Sequence, residues 1–188
     1  MVKGTFLAGS FQEDGKDKTY VDSILEAAQQ SGVSPYTIAT MIIQEQGING
    51  TGGSISGTEP GYEGYYNFFN VAAYAANGLT PVQKGLLYAK TENGSYGRPW
   101  NTRTKSIAGG AQYFAEGFIS RGQDTIYLKK FNVQGKNPYE HQYMTNIQGA
   151  ASEGQHLAEA YQDEETGQYS EAAQNTALTF KIPVYLNM

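Results

Sequence analysis

Glu45 carries the sharpest chemical signal in this sequence. It follows Ile38, Met41 and Ile42 by seven, four and three positions, so on a helix it prolongs their apolar stripe. A carboxyl group therefore stands where a hydrocarbon is expected. Poor hydration disfavours its charged form, raises its pKa and keeps a proton on it near neutrality, the condition a general acid needs to protonate a leaving oxygen. The alternative is a last-turn glutamate bent out to solvent, and spacing alone admits both.

Acid-assisted cleavage of a glycosidic bond calls for a second carboxylate, to activate water or to steady positive charge at the anomeric carbon. Glu63 is the best candidate. It lies in Gly61-Tyr62-Glu63-Gly64-Tyr65-Tyr66-Asn67, where flanking glycines permit a tight hairpin and the tyrosines offer rings on which sugar faces stack. Tyr62, Tyr65, Tyr66 and Trp100 are the candidates for lining a glycan groove. The competing readings are an ordinary exposed hairpin acid and local packing of a tyrosine-rich lobe.

Other chemistries find less support. The chain has no cysteine, which removes thiol nucleophiles, disulfides and thiolate metal sites together. Its two histidines, His141 and His156, belong to no zinc-binding or triad pattern, and we read both as surface or helix-packing residues. No metal site and no cofactor are expected. Gly50-Thr51-Gly52-Gly53-Ser54 lacks the lysine of a phosphate loop. Thirteen Lys plus Arg against 18 Asp plus Glu, with no basic block, leave no electrostatic footprint for nucleic acid. Neither a membrane-spanning run nor an export leader is visible.

The elements that must position these residues are mostly helical. With 188 residues, one domain is the default, and 15 tyrosines beside 8 phenylalanines imply an aromatic, partly wet surface. Residues 1–19 read as an extended arm. A helix is predicted over Tyr20–Gln30, with Val21, Ile24, Leu25 and Ala28 as its face and Gly32 as its stop. A second begins at Ser34-Pro35 and stops at Gly47. Residues 47–64 hold seven glycines and read as a lobe or an active-site loop, bounded at 47–70. Tyr65–Tyr74 reads as a strand or irregular segment. Thr80-Pro81-Val82-Gln83 is a capping box opening a short helix through about Tyr88. A long helix spans Lys105–Ile119, with Gly109 and Gly110 admitting a close neighbour. Asp124 caps a brief helix, Tyr139–Tyr161 has mixed helical periodicity, and the tail 177–188 carries an alternating strand pattern with Pro183 at an edge.

Four blocks of the chain together resemble the bacterial glucosaminidases of glycoside hydrolase family 73, particularly the catalytic domains of clostridial and staphylococcal autolysins. They are Ile42-Ile43-Gln44-Glu45-Gln46-Gly47, Pro60 through Val71, Tyr96-Gly97-Arg98-Pro99-Trp100-Asn101-Thr102 and His141-Gln142-Tyr143-Met144-Thr145-Asn146. They fall in the expected order over most of residues 20 to 160. The resemblance implies an α+β, mostly α, lysozyme-like helical domain with a small β-lobe. It also implies cleavage of the bond that follows N-acetylglucosamine in peptidoglycan. By the same resemblance the family's general acid maps onto Glu45 and its second acid onto Glu63. Asn67, Phe68, Phe69 and Asn70 take the place of an Asn-Leu-Phe-Gly-like cleft floor, with Asn70 where glycine is common. A cleft tyrosine maps onto Tyr143, where Met144 and Asn146 depart from the family pattern.

The expected protein is thus a single, monomeric catalytic domain, secreted and wall-associated, excised from a longer hydrolase and acting on glycan strands. After protonation by Glu45, either Glu63 activates water with inversion, or the substrate's 2-acetamido oxygen attacks first with retention. Movement of a flexible 50–64 segment would bring Glu63 to the sugar. The alternatives are a muramidase or lytic transglycosylase on the same scaffold, or a non-catalytic glycan-binding module, which has no need of Glu45.

Overall fold

A computed structural model of the chain describes residues 2–92, 94–143, 146–159, 161–162, 166–175, 181 and 184. The chain divides into two compact units, residues 2–121 and 122–188. Most of the predicted tail strand, including Leu178, Phe180, Ile182 and Leu186, lies outside the described residues.

The first unit begins with order where the sequence suggested an arm. The Thr5 hydroxyl accepts the Leu7 N–H and starts a 3-10 turn over Phe6–Ala8, which buries Leu7 completely. Strands β1 (Ser10–Glu13) and β2 (Lys16–Thr19) then pair antiparallel, with Glu13 opposite Lys16. Asp14 and Gly15 turn the corner with φ of 54° and 70°. Two positive φ values in a two-residue turn match the right-handed strand twist, and Asp-Gly adopts them readily. Only Phe11 and Glu13 face inward, so the alternation is too short and too polar to register as a strand pattern. The sheet lies here and not in 47–70, a stretch that holds turns and one helical turn but no strand.

Helix α1 (Tyr20–Ser31) is capped by the Thr19 hydroxyl and stopped by Gly32 at φ 73°. Its buried face runs through Ser23, Ile24 and Ala27, while Val21 and Leu25 remain exposed. Ile24 lies on the predicted face, but the stripe that packs continues through Ser23 and Ala27 instead of Val21 and Leu25. Its principal neighbour is α5 (Arg103–Gly117). Helix α2 (Pro35–Gln46) starts and stops as predicted, although the Ser34 side chain makes no capping bond. Helix α3 (Gly53–Ser56) is a single turn, and α4 (Pro81–Lys90) opens with the complete Thr80/Gln83 capping box. Helix α5 (Arg103–Gly117) is capped by Thr102. Its glycines do admit close neighbours: a Cβ at Gly109 would fall 2.2 Å from the Trp100 ring nitrogen, and one at Gly110 would fall 2.0 Å from Phe69. Leu7, Ile38, Ile42, Phe68, Leu86, Trp100 and Ile107 form the fully buried core.

In the second unit, α6 (Ile126–Phe131) is capped by the Thr125 hydroxyl rather than by Asp124. Helix α7 occupies only Gly149–Glu159, and α8 is the short turn Glu171–Gln174. The helical periodicity predicted over 139–161 is not realised at Tyr139 and His141, which take positive φ values of 68° and 54°. Lys129 of α6 and Glu153 of α7 make a buried ion pair.

Candidate active site

Helix α2 ends by placing two consecutive polar side chains at one junction. Ile38, Met41 and Ile42 anchor the helix in the core, and the same face carries a half-buried Glu45 in the last turn. Gln46 follows and is buried, at 4% exposure. Its Nε2 donates to the carbonyls of Asn67 and Phe68, at 3.3 and 3.0 Å, and to Asn70 Oδ1 at 3.3 Å. The helix end is thereby tied to residues 67–70.

Asn70 completes that junction. Its Nδ2 donates to Glu45 Oε2 at 3.0 Å and to the Glu45 backbone carbonyl at 3.2 Å, while its Oδ1 accepts the Ser54 hydroxyl at 2.7 Å. Ser54 is held in turn by α3 and by the Asn67 N–H, which donates to its carbonyl at 2.7 Å. Gly52 packs directly on Gln46, where a Cβ would meet Oε1 at 2.2 Å. The sequence reading gave neither Gln46 nor Ser54 a part in the site, and it placed Asn70 in the cleft floor without linking it to Glu45.

Glu63 has a different setting. It is exposed, in a loop closed by the Gly64 N–H donating to the Gly57 carbonyl and the Tyr62 N–H donating to that of Glu59. Its own amide and the Gly61 N–H, which donates to Oε1 at 3.1 Å, hold the carboxyl below the usual carboxylate range, with a smaller contribution from Lys90. The Lys90 ammonium lies 5.9 Å from the Tyr62 ring centre and 5.5 Å from that of Tyr65. Within residues 57–66, the Gly61 carbonyl accepts from the Lys90 ammonium of α4, and the Tyr66 N–H donates to the Trp100 carbonyl.

The remaining predicted residues separate into two groups. Trp100, Asn67 and Phe69 are buried, at 0%, 0% and 5% exposure, so they offer no face to a sugar and the reading of them as groove residues is corrected. Trp100 spends its N–H on the Tyr96 carbonyl and packs against Gly109. Asn67 spends its amide on the carbonyls of Val71 and Gly85 and on the Val71 N–H. Phe69 fills the space that Gly110 leaves. These three build the wall behind the junction. Tyr62, Tyr65 and Tyr66 stay partly exposed, with Tyr66 beneath the Arg103 guanidinium at 4.7 Å. Tyr143 belongs to the second unit, where the Lys129 carbonyl accepts its N–H and the Lys129 ammonium lies 4.2 Å from its ring centre. Met144 is outside the described residues.

A separate cavity of about 390 Å³, walled by Lys18, Leu25 and Glu26, is lined by none of the predicted site residues. No helix among the described residues is long and apolar enough to cross a membrane.

No family model matches the chain. Over 170 residues, 85% of its length, it is 31% identical to a bifunctional autolysin of Staphylococcus epidermidis. Over 159 residues, 79% of its length, it is 29% identical to a bifunctional autolysin of Staphylococcus aureus. The chain spans only 11% and 12% of the length of those relatives. Among solved structures it is similar to S. aureus autolysin E, with a TM-score of 0.61 and 22% identity over 85% of this chain and 62% of that one. It is also similar to the major bifunctional autolysin, with a TM-score of 0.55 and 26% identity over 85% and 58% of the two chains. A catalytic mutant of autolysin E in complex with the disaccharide NAG-NAM matches with a TM-score of 0.58 and 19% identity, over 85% and 86%. The α+β, mostly helical lysozyme-like fold is the one these structures share.

Proposed function

We propose that this chain, a homologue of the staphylococcal autolysins, is an endo-β-N-acetylglucosaminidase that cuts peptidoglycan after N-acetylglucosamine. The observation that carries the reading is Glu45 itself. It is a half-buried carboxyl at the end of a core helix, held by an amide, at the position the family resemblance gives to the general acid. Relatives named for autolysis and a fold neighbour bound to NAG-NAM support a glycan substrate.

Glu45 protonates the glycosidic oxygen as the bond to the anomeric carbon breaks and positive charge spreads over the sugar ring. Glu63 is suited to the complementary role. Backbone N–H groups stabilise its charged form, so it stands ionised, ready to activate water or to steady the charge while the 2-acetamido oxygen attacks. The partly exposed Tyr62, Tyr65 and Tyr66 rings line the glycan path. The enzyme works outside the cell on the wall, as a monomer.

Turbidity loss of purified peptidoglycan, compared for wild type and Glu45→Gln, tests the assignment. Lysis by wild type with about a hundredfold or greater loss in the variant is expected, from the usual worth of a general acid. Retained lysis by the variant removes Glu45 from the role. Mass spectrometry of the new reducing ends must find N-acetylglucosamine. Muramic acid ends would assign a muramidase, and anhydro ends a transglycosylase.

A further inference from the structure

Asn70 is not simply near the acid, because the direction of its amide is fixed by groups that cannot reverse theirs. Gln46 points its NH₂ at two backbone carbonyls, those of Asn67 and Phe68, and a carbonyl can only accept. The same NH₂ faces Asn70 Oδ1, which must therefore be the oxygen end of that amide. At the other end, Asn70 Nδ2 faces the Glu45 backbone carbonyl, again an obligate acceptor. Both ends give the same orientation, and the Ser54 hydroxyl donating to Oδ1 agrees with it. One N–H of Asn70 is thus committed to the helix-end carbonyl and the other to Glu45 Oε2, 3.0 Å away.

We propose that Asn70 is a positioning residue for the acid: it dedicates Glu45 Oε2 to accepting an amide N–H and so assigns the transferable proton to Oε1. The inference rests on the reading of Glu45 as the general acid. A proton on Oε2 would compete with the N–H aimed at that oxygen, whereas a proton on Oε1 leaves the bond intact. When Oε1 gives its proton to the glycosidic oxygen, the C–O bonding pair leaves with that oxygen and Glu45 becomes a carboxylate. The Asn70 bond then becomes charge-assisted and strengthens as the negative charge appears. Asn70 touches no sugar in this scheme, so its effect belongs in turnover and not in binding.

The test measures kcat and KM on soluble glycan strands prepared from peptidoglycan. Asn70→Gly keeps the backbone φ of 48° accessible and removes only the amide. Its kcat should fall about tenfold or more, as expected for a hydrogen bond to a charged group, with KM within about twofold of wild type. Asn70→Asp keeps the shape but replaces the donor by an acceptor and should lose at least as much. An unchanged kcat in either variant, or a loss shared with or confined to KM, overturns the proposal. Should Asn70→Gly not fold, Ser54→Ala releases the anchor of Oδ1. It should lower kcat by about twofold to fivefold at constant KM, and an unchanged kcat overturns the proposal equally. Glu45→Gln, assayed alongside, separates the two failures. Retained activity there sinks the acid itself, whereas an inactive Glu45→Gln beside a fully active Asn70→Gly sinks only the positioning role.

Discussion

The two carboxylates sit in opposite surroundings. Glu45 ends a helix whose face is core, and its partner is an amide locked in a buried network. Glu63 projects from a glycine-bounded loop, exposed, and answers chiefly to backbone N–H groups of its own turn. A group that must hold a proton gains from rigid, poorly hydrated surroundings. A group that must stay charged gains from water and peptide dipoles. On the proposed assignment, the division of labour follows from where each side chain is mounted.

That contrast can be broken at several depths. Glu45→Gln comes first, with the loss stated above. Glu63→Gln should cost about tenfold to a hundredfold in kcat, because the charge is lost while water can still reach the sugar. A loss as deep as that of Glu45→Gln would erase the distinction between acid and helper. Lys90→Ala tests whether the Glu63 loop depends on its clamp. About a fivefold drop in kcat is expected, the equivalent of roughly 1 kcal/mol for a cation held over exposed rings. Full activity in Lys90→Ala would mean that the backbone bonds of residues 57–66 suffice.

The smallest effect concerns a third carboxylate, one to which the proposed mechanism gives no role. Burial alone would push the Glu13 carboxyl up. The Lys18 ammonium, with the hydroxyl and N–H of Thr104, outweighs this and holds it below the ordinary value of 4.5. A carboxylate with a depressed pKa stabilises the fold above the unfolded value, and that contribution disappears as pH falls through the folded one. Glu13→Gln should therefore melt below wild type at pH 7, and the gap should close under acid. A gap that persists at low pH would assign the effect to packing instead.

Much of the frame of the site was legible because it rests on local rules. Helical spacing placed Glu45 on the core face of α2, Thr80 with Gln83 marked α4, and the glycine pair marked a close approach on α5. The hairpin at 10–19 was overlooked although Asp14-Gly15 signals it, because strands of four mostly polar residues carry almost no hydrophobic alternation. Trp100 was misread for a deeper reason. An aromatic ring in a glycine-rich loop looks the same whether it meets sugar or core, and only the Tyr96 carbonyl and the vacant face of Gly109 decide between them. The Gln46, Ser54 and Asn70 network joins residues up to 24 positions apart, and no periodicity connects them.

The missing side chain at Gly110 has a reach longer than its size suggests. The Phe69 ring occupies the room where a methyl would stand, and the next residue along is the amide that donates to Glu45 Oε2. On the proposed assignment, geometry at the reactive centre is consequently inherited from a position on α5. A library screened for variants with altered cell-wall preference would meet inactive clones there whose defect is one of architecture transmitted through a single ring.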